Sequence, residues 1–369
     1  MPRRRAAALR PAAFRSAAFR PDVEGLRGVA VLSVLAYHAA VPGFTGGYVG
    51  VDVFFVISGF LITGLLTGSS PGLTDFLARR ARRILPAAAV VLVATAVAGG
   101  VLLDPLRGTD LARDLIAAAG QYANWRFVGQ QTDYLAAGRD PSPLQHFWSL
   151  GVENQFYLLW GVLLLGLARC LHGRRRTAAI TLVTVGVGAA SLVLCVRWTQ
   201  TSAPLAYFST AGRLWEFAAG ALAALLGGAL GGRGRALRTV GWAGLAAVVA
   251  SVLRYDHTTP FPGIAALLPV LGTAAVLLAG PGKAPDAGAL LATRPLRAAG
   301  RLSYAWYLWH WPVLTIAQAR YGTLPWPVQL ALVAAAALPA WLTLRLVEQP
   351  LRYGSSPAPR RGLAVGASA

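Results

Sequence analysis

Arg27 and His38 stand eleven residues apart in the first long apolar run, Gly25-Leu26-Arg27-Gly28-Val29-Ala30-Val31-Leu32-Ser33-Val34-Leu35-Ala36-Tyr37-His38. Eleven steps at about 100° per residue make roughly three turns, so a helix puts both side chains on one face, about 16 Å apart along its axis. A guanidinium and an imidazole are costly inside a membrane and by default mark a functional site there. An imidazole can take the proton of an attacking hydroxyl when a partner holds its tautomer and stabilises the imidazolium. The plainer alternative makes Arg27 a helix anchor and His38 an interfacial residue.

Further titratable groups recur at related depths. Asp52 lies about one turn into the second apolar run, where it could also serve simply to favour a helix N-terminus. His146, Ser149 and Glu153 are spaced i, i+3, i+7 at the start of the fourth and share one helical face. Glu153 has no cation within reach on its own helix and is the carboxylate least expected to be passive; His146 could be a rim residue. Arg213 and Glu216 form an i, i+3 pair, more readily structural than catalytic. His310 sits in Tyr304-Ala305-Trp306-Tyr307-Leu308-Trp309-His310-Trp311-Pro312, deeper than an aromatic interface belt requires. Arg79, Arg80, Arg82 and Arg83 cluster in Phe76–Pro86, and guanidinium forks suit phosphate oxygens. Charge placement and anionic lipid would explain that cluster equally well on its own.

Ten apolar segments position these residues: roughly 25–42, 48–67, 84–103, 147–169, 177–197, 205–230, 237–254, 261–280, 302–319 and 326–347. The chain of 369 residues is 56% hydrophobic and only 13% charged, a membrane composition. Its net charge is +20, almost all of it arginine. A nucleic-acid binder could carry that charge, but here it is divided among the loops between apolar runs and reads as topology, so no nucleic-acid partner is expected. Arginines gather in alternate loops, which predicts an all-α integral membrane protein of about ten transmembrane helices with both termini cytoplasmic. Residues 1–18 form a basic N-terminal segment and 354–369 a tail rich in Pro, Ser, Gly and Arg, both expected to be disordered around a membrane domain over 19–353. Cys170 and Cys195 are too few for a disulfide framework, and no cluster has metal-ligand spacing.

These segments, in this order, resemble the membrane acyltransferase-3 family, the O-antigen acetylase-like proteins. The resemblance runs over about 19–353 and rests on an ordered set of motifs. They are Phe19-Arg20-Pro21-Asp22-Val23-Glu24-Gly25-Leu26-Arg27 with His38 eleven residues beyond, Gly46 through Thr63, and the Arg79–Arg83 element. His146-Phe147-Trp148-Ser149-Leu150-Gly151-Val152-Glu153-Asn154-Gln155-Phe156-Tyr157, Arg213-Leu214-Trp215-Glu216, Ser303 through Pro312, and Val347-Glu348-Gln349-Pro350 complete it. The resemblance implies transfer of an acyl group, usually acetyl, from cytoplasmic acyl-CoA as co-substrate, with no bound cofactor. The acceptor would be a hydroxyl of a cell-surface glycan, lipid or secondary metabolite at the cell membrane. It makes His38 the catalytic histidine and Arg27 its signature partner, and puts the CoA phosphates on Arg79–Arg83. Glu153 and Asp52 are candidates to orient His38, whether it acts as general base or carries the acyl group itself. His146, Ser149, Arg213, Glu216 and His310 are candidates to line the substrate path. Acceptor choice is expected in the 104–146 loop, with Tyr122, Asn124, Trp125 and Tyr134.

Two departures from the family pattern matter. Asn154 stands where members commonly carry a second glutamate. Many members also carry a further span and an extracytoplasmic hydrolase-like domain, so this chain is expected to acylate its acceptor directly or hand over to a separate extracytoplasmic partner. A polytopic transporter or flippase with a buried His/Glu/Arg path is the competing reading; a non-enzymatic scaffold explains the buried charges least well.

Overall fold

The computed structural model describes residues 19–68, 71–132, 141–227, 234–283 and 285–353. The segments 1–18 and 354–369, and Tyr134 with its neighbours, lie outside the described residues. Every regular element among those described is helical. In chain order they are α1 (Pro21–His38), α2 (Gly50–Gly68), α3 (Leu73–Leu102), α4 (Gly108–Ala119), α5 (Ala123–Thr132), α6 (Phe147–Cys170), α7 (Gly173–Thr201) and α8 (Ala203–Phe208). Then follow α9 (Thr210–Gly227), α10 (Gly234–Arg254), α11 (Leu267–Ala279), α12 (Ala287–Leu291), α13 (Arg294–Tyr321), α14 (Trp326–Ala335), α15 (Ala337–Thr343) and α16 (Gln349–Tyr353). Backbone groups in an apolar medium must be satisfied within the segment, which is why apolar runs of this length become helices.

Each of the ten apolar segments read from the sequence coincides, in its greater part, with a helix. Six stretches are long and apolar enough to cross a membrane by length and composition: Gly47–Gly68, Leu73–Leu102, Phe147–Cys170, Gly173–Thr201, Ala236–Arg254 and Trp326–Leu351. The other four are set apart by their own chemistry. α1 carries Asp22, Glu24 and Arg27, and α9 carries Arg213 and Glu216. α13 is crowded with Arg, Tyr, Trp and His, and α11 has only 13 residues because turns occupy 261–266. The 104–146 connection, expected as a loop, contains α4 and α5, which pack on α3, α6 and α8.

Two helix pairs organise the bundle, α1 on α13 and α2 on α9. Both pairs close on glycine. A Cβ on Gly28 would lie 2.1 Å from the Leu296 carbonyl oxygen, and one on Gly300 would lie 1.8 Å from that of Glu24. A Cβ on Gly59 would lie 1.9 Å from the Phe217 oxygen, and one on Gly220 would lie 1.9 Å from that of Val56. Small residues at such crossings let backbones approach closely, the device expected where lipid removes the hydrophobic drive between helices. α1 and α13 run in the same direction, so Arg27 meets Ser303 near one end and His38 meets His310 nearer the other. α2 lies between two apolar cores, giving Phe55 to one with Phe147, Phe156 and Phe217, and Val53, Val56 and Ile57 to the other with Trp215 and Val270.

Gly300→Ala tests this close approach. The added methyl has no free volume, and overpacking typically costs about 1–3 kcal/mol. The midpoint of thermal unfolding in detergent should fall clearly, whereas Gly64→Ala, whose Cβ meets nothing within 4 Å, should leave it unchanged or slightly raised.

Candidate active site

Two cavities of different character open inside the bundle. The first, about 790 Å³, is lined by Arg27, Arg80, Arg83, Ser58, Glu153, Tyr157, Ser303 and Tyr304, among others. Three arginines face one carboxylate there, so the cavity is strongly cationic. Arg27 Nη2 donates to Ser303 Oγ at 3.1 Å, while its buried Nε has no hydrogen-bond partner among the described residues. Arg80 and Arg83 share one face of the first turns of α3, with the Arg80 guanidinium 5.4 Å from the centre of the Tyr157 ring. Glu153 accepts from both Ser58 Oγ and Tyr157 OH. Tyr304 OH donates to the Ile84 carbonyl at 2.7 Å and ties α13 to α3 beside the cavity. Arg79 is exposed, and Arg82 donates to its own helix at Ala78, so the cluster splits into two cavity residues and two that line neither cavity.

The second cavity, about 1310 Å³, is lined by His38, His146, Tyr37, Tyr48, Tyr207, Trp311, Gln145 and Gln131, with Asp256 and His257 from the turn after α10. Among the described residues its lining includes no arginine or lysine. The exposed Asp256 carboxyl is held below its ordinary range by hydrogen bonds from the hydroxyl and backbone N–H of Thr258. The two cavities share Val51 and Tyr307 as a common wall. Tyr307 is fixed there: its hydroxyl lies 2.8 Å from Ser149 Oγ and donates to the His146 carbonyl at 3.0 Å.

Three histidines gather at the wall. His38 Nδ1 lies 2.9 Å from His310 Nε2, with the two ring planes within 17° of parallel and their centres 5.1 Å apart. The His146 and His310 ring centres are 5.8 Å apart. Pro312 explains part of this arrangement. Lacking an N–H, it leaves the Leu308 carbonyl, four residues earlier in α13, without its helical donor. His146 Nε2 donates to that oxygen at 3.0 Å. His310 Nδ1 donates to the adjacent Tyr307 carbonyl at 2.6 Å.

Neither carboxylate named from the sequence as a partner for His38 contacts it. Asp52 turns to Arg213, with Oδ1 3.2 Å from Nη1, and Glu216 Oε1 lies 2.7 Å from the same nitrogen. All three are at most 1% exposed. Phe55, Trp148, Tyr207 and Phe261 surround the guanidinium at 5.4–5.7 Å. This dry triad clamps α2 to α9. Glu153 belongs to the arginine cavity. Ser149 lines the arginine cavity and bonds to Tyr307, and Asn154 donates to Gln121 between α4 and α5. Of the residues expected to select an acceptor, Asn124 is buried and donates to the Phe208 carbonyl, Trp125 donates to Gln155, and Tyr122 is not in the cavity wall. Sequence reasoning missed Tyr307, Ser303, Tyr157 and the Asp256–His257 turn. Pro312, four residues after Leu308, was the available signal for the histidine cluster.

Over residues 20–345 the chain matches the family model described as an acyltransferase domain. It is similar to the peptidoglycan O-acetyltransferase OatA of Listeria monocytogenes, with 31% identity over 354 residues, 90% of this chain and 56% of that protein. Similarity to the O-acetyltransferase OatA of Staphylococcus aureus is 28% over 351 residues, 90% and 57% of the two chains. YrhL of Bacillus subtilis is 32% identical over 350 residues, 90% and 55% of the two. The chain thus spans little more than half the length of these relatives. No solved structure matches it.

The buried triad predicts a non-additive mutational pattern. Arg213→Gln leaves two carboxylates uncompensated in a dry site and should cost about 3–5 kcal/mol. Adding Asp52→Asn and Glu216→Gln should recover most of that loss, because three neutral groups can share hydrogen bonds. Chemical denaturation in detergent measures both; an additive further loss in the triple variant would contradict the triad.

Proposed function

This chain belongs to the acyltransferase domain family, and from that premise we propose that it is a multi-pass membrane O-acyltransferase that moves an acyl group, acetyl above all, from a coenzyme A thioester to an acceptor hydroxyl. One observation carries the reading: a cationic cavity and a histidine-lined cavity meet at Val51 and Tyr307. The cationic cavity suits a polyphosphate donor, with phosphate oxygens on Arg80 and Arg83 and the unmet Arg27 Nε available to an acceptor oxygen deeper in. The histidine cavity suits an uncharged hydroxylated acceptor resting among Tyr37, Tyr48 and Trp311.

The chemistry follows from that division. His38 takes the proton of the acceptor hydroxyl as its oxygen attacks the thioester carbon. The new C–O bond forms and the C–S bond breaks. The sulfur leaves as the CoA thiol, carrying the proton that His38 returns. Tyr307 stands where the acyl group must pass, and the thioester arm reaches it from the arginine side. Nothing else need cross.

The orientation goes with this reading. The arginine mouth faces the cytoplasm, where acyl-CoA is available. All ten apolar segments cross the cell membrane, and both termini are cytoplasmic. Two of the relatives, those of Listeria monocytogenes and Bacillus subtilis, are named for peptidoglycan, which favours a glycan of the cell envelope as acceptor, reached directly or through a separate extracytoplasmic partner. The transporter reading has no comparable support, since it gives no reason for membership of an acyltransferase family.

Purified protein in proteoliposomes with labelled acetyl-CoA tests the assignment. His38→Ala should abolish transfer and acceptor-dependent CoA release; full transfer by that variant would sink the reading. Arg80→Gln with Arg83→Gln should raise KM for acetyl-CoA by roughly tenfold or more per arginine and leave kcat nearly unchanged, as expected for loss of charge-assisted hydrogen bonds to the donor alone.

A further inference from the structure

His38 needs a defined tautomer to act as a base at one nitrogen, and among the described residues no carboxylate contacts its ring. Its only hydrogen-bond partner there is His310 Nε2, 2.9 Å from Nδ1. The arrangement of hydrogens along this chain of contacts follows from its far end. His310 Nδ1 lies 2.6 Å from the Tyr307 carbonyl oxygen. A carbonyl oxygen only accepts, so His310 Nδ1 carries a hydrogen. In a neutral ring Nε2 of His310 is then bare and accepts. The nitrogen facing it, His38 Nδ1, therefore donates and carries the hydrogen of the His38 ring. What remains is His38 Nε2, bare, on a residue that lines the histidine cavity.

We propose that His310 is the positioning residue for His38: through the Tyr307 carbonyl it fixes the Nδ1–H tautomer of His38 and holds Nε2 ready for the acceptor's proton. This deepens the reading of His38 as the base and rests on it. The histidine takes the place that a carboxylate holds in the familiar triads, with one difference in its consequences. A carboxylate adds a full negative charge opposite the imidazolium, whereas a neutral imidazole adds only a lone pair and needs no desolvated anion. In the transfer step the acceptor O–H proton passes to His38 Nε2 and then to the departing CoA sulfur. The Nδ1 hydrogen stays on His38 throughout, shared with His310 Nε2. No proton passes beyond His310, because the next acceptor is a backbone carbonyl.

Ring packing supports this role. The two hydrogen-bonded imidazole planes lie within 17° of parallel, and the Trp311 ring centre lies 4.5 Å from that of His38. Both leave the His38 ring little freedom to rotate to the other tautomer's geometry. His146, whose own Nε2 donates to the Leu308 carbonyl, does not hydrogen-bond to His38 and is not part of the relay.

Two substitutions and one spectroscopic measurement decide the matter. His310→Leu removes the acceptor and keeps an apolar side chain of similar bulk. It should lower kcat by about a hundredfold with KM for acetyl-CoA within about twofold of wild type, since His310 lies outside the arginine cavity. His310→Gln places an amide oxygen near the position of Nε2 and should restore kcat to within about tenfold of wild type. Thermal unfolding confirms that both variants are folded. In protein labelled with 15N-histidine, which has five histidines to assign, His38 should show the neutral Nδ1–H tautomer, and His310→Leu should abolish that preference. The proposal is overturned by an Nε2–H tautomer at His38, by wild-type turnover in His310→Leu, or by a folded His310→Gln no better than His310→Leu. If His38→Ala itself transfers fully, it is the acyltransfer assignment that fails; if His38→Ala is inactive and His310→Leu is not, only the positioning role fails.

Discussion

The contact on which the site depends most is the backbone-to-backbone approach of α1 and α13 at Gly28 and Gly300. At that crossing a single methyl group has nowhere to go. The closeness has direct consequences further along both helices. It puts the Arg27 guanidinium on Ser303 and the His38 ring on His310, although these pairs are separated by 276 and 272 residues of sequence. The crossing of α2 and α9 at Gly59 and Gly220 has the same character and holds Asp52 against Arg213. In a medium without hydrophobic drive between helices, packing at small residues and buried polar contacts supply the association, and these two crossings are each accompanied by such a contact.

Within this frame charge is sorted. Three arginines line one cavity, while Arg213, neutralised by two carboxylates, lies in a sealed aromatic box beside the other. A buried ion group so enclosed contributes little to stability compared with an apolar substitute but is costly to break. It therefore acts as a fixed corner of the histidine cavity rather than as a reactant. The irregularity in α13 has the opposite character. Pro312 opens the hydrogen-bond ladder, and a histidine closes it. The missing backbone bond thereby becomes the anchor that draws α6 against α13.

The helical elements were legible in the sequence, because apolar runs are local signals. All ten segments coincide mainly with helices, although only six stretches qualify by length and apolarity. α1, α9 and α13 carry the charged and polar residues that the site needs, so the helices richest in site residues give the weakest hydropathy signal. The residues of the candidate site stood out singly, since Arg27, His38, Glu153 and Arg213 are costly to bury. Their partners did not. Which carboxylate meets which cation depends on helix neighbours, and those are set by glycine crossings hundreds of residues apart in sequence. Asp52 was thus assigned to His38 on depth alone, whereas packing gives it to Arg213. Asn154, which stands where the family pattern commonly has a second glutamate, bonds to Gln121.

Tyr307, pinned between two chambers, bears on the kinetic order of the proposed transfer. A donor and an acceptor held on opposite sides of one ring do not contend for the same volume. Neither has to depart before the other arrives, and neither has to arrive first. An enzyme arranged in this way forms a ternary complex by random addition. Its double-reciprocal rate plots intersect rather than run parallel, and excess acceptor does not displace the donor. In that proposed arrangement, bulk water entering from the histidine side would meet the phenol before the thioester, so the same ring that permits simultaneous occupancy would also limit wasteful hydrolysis while the acceptor chamber stands empty.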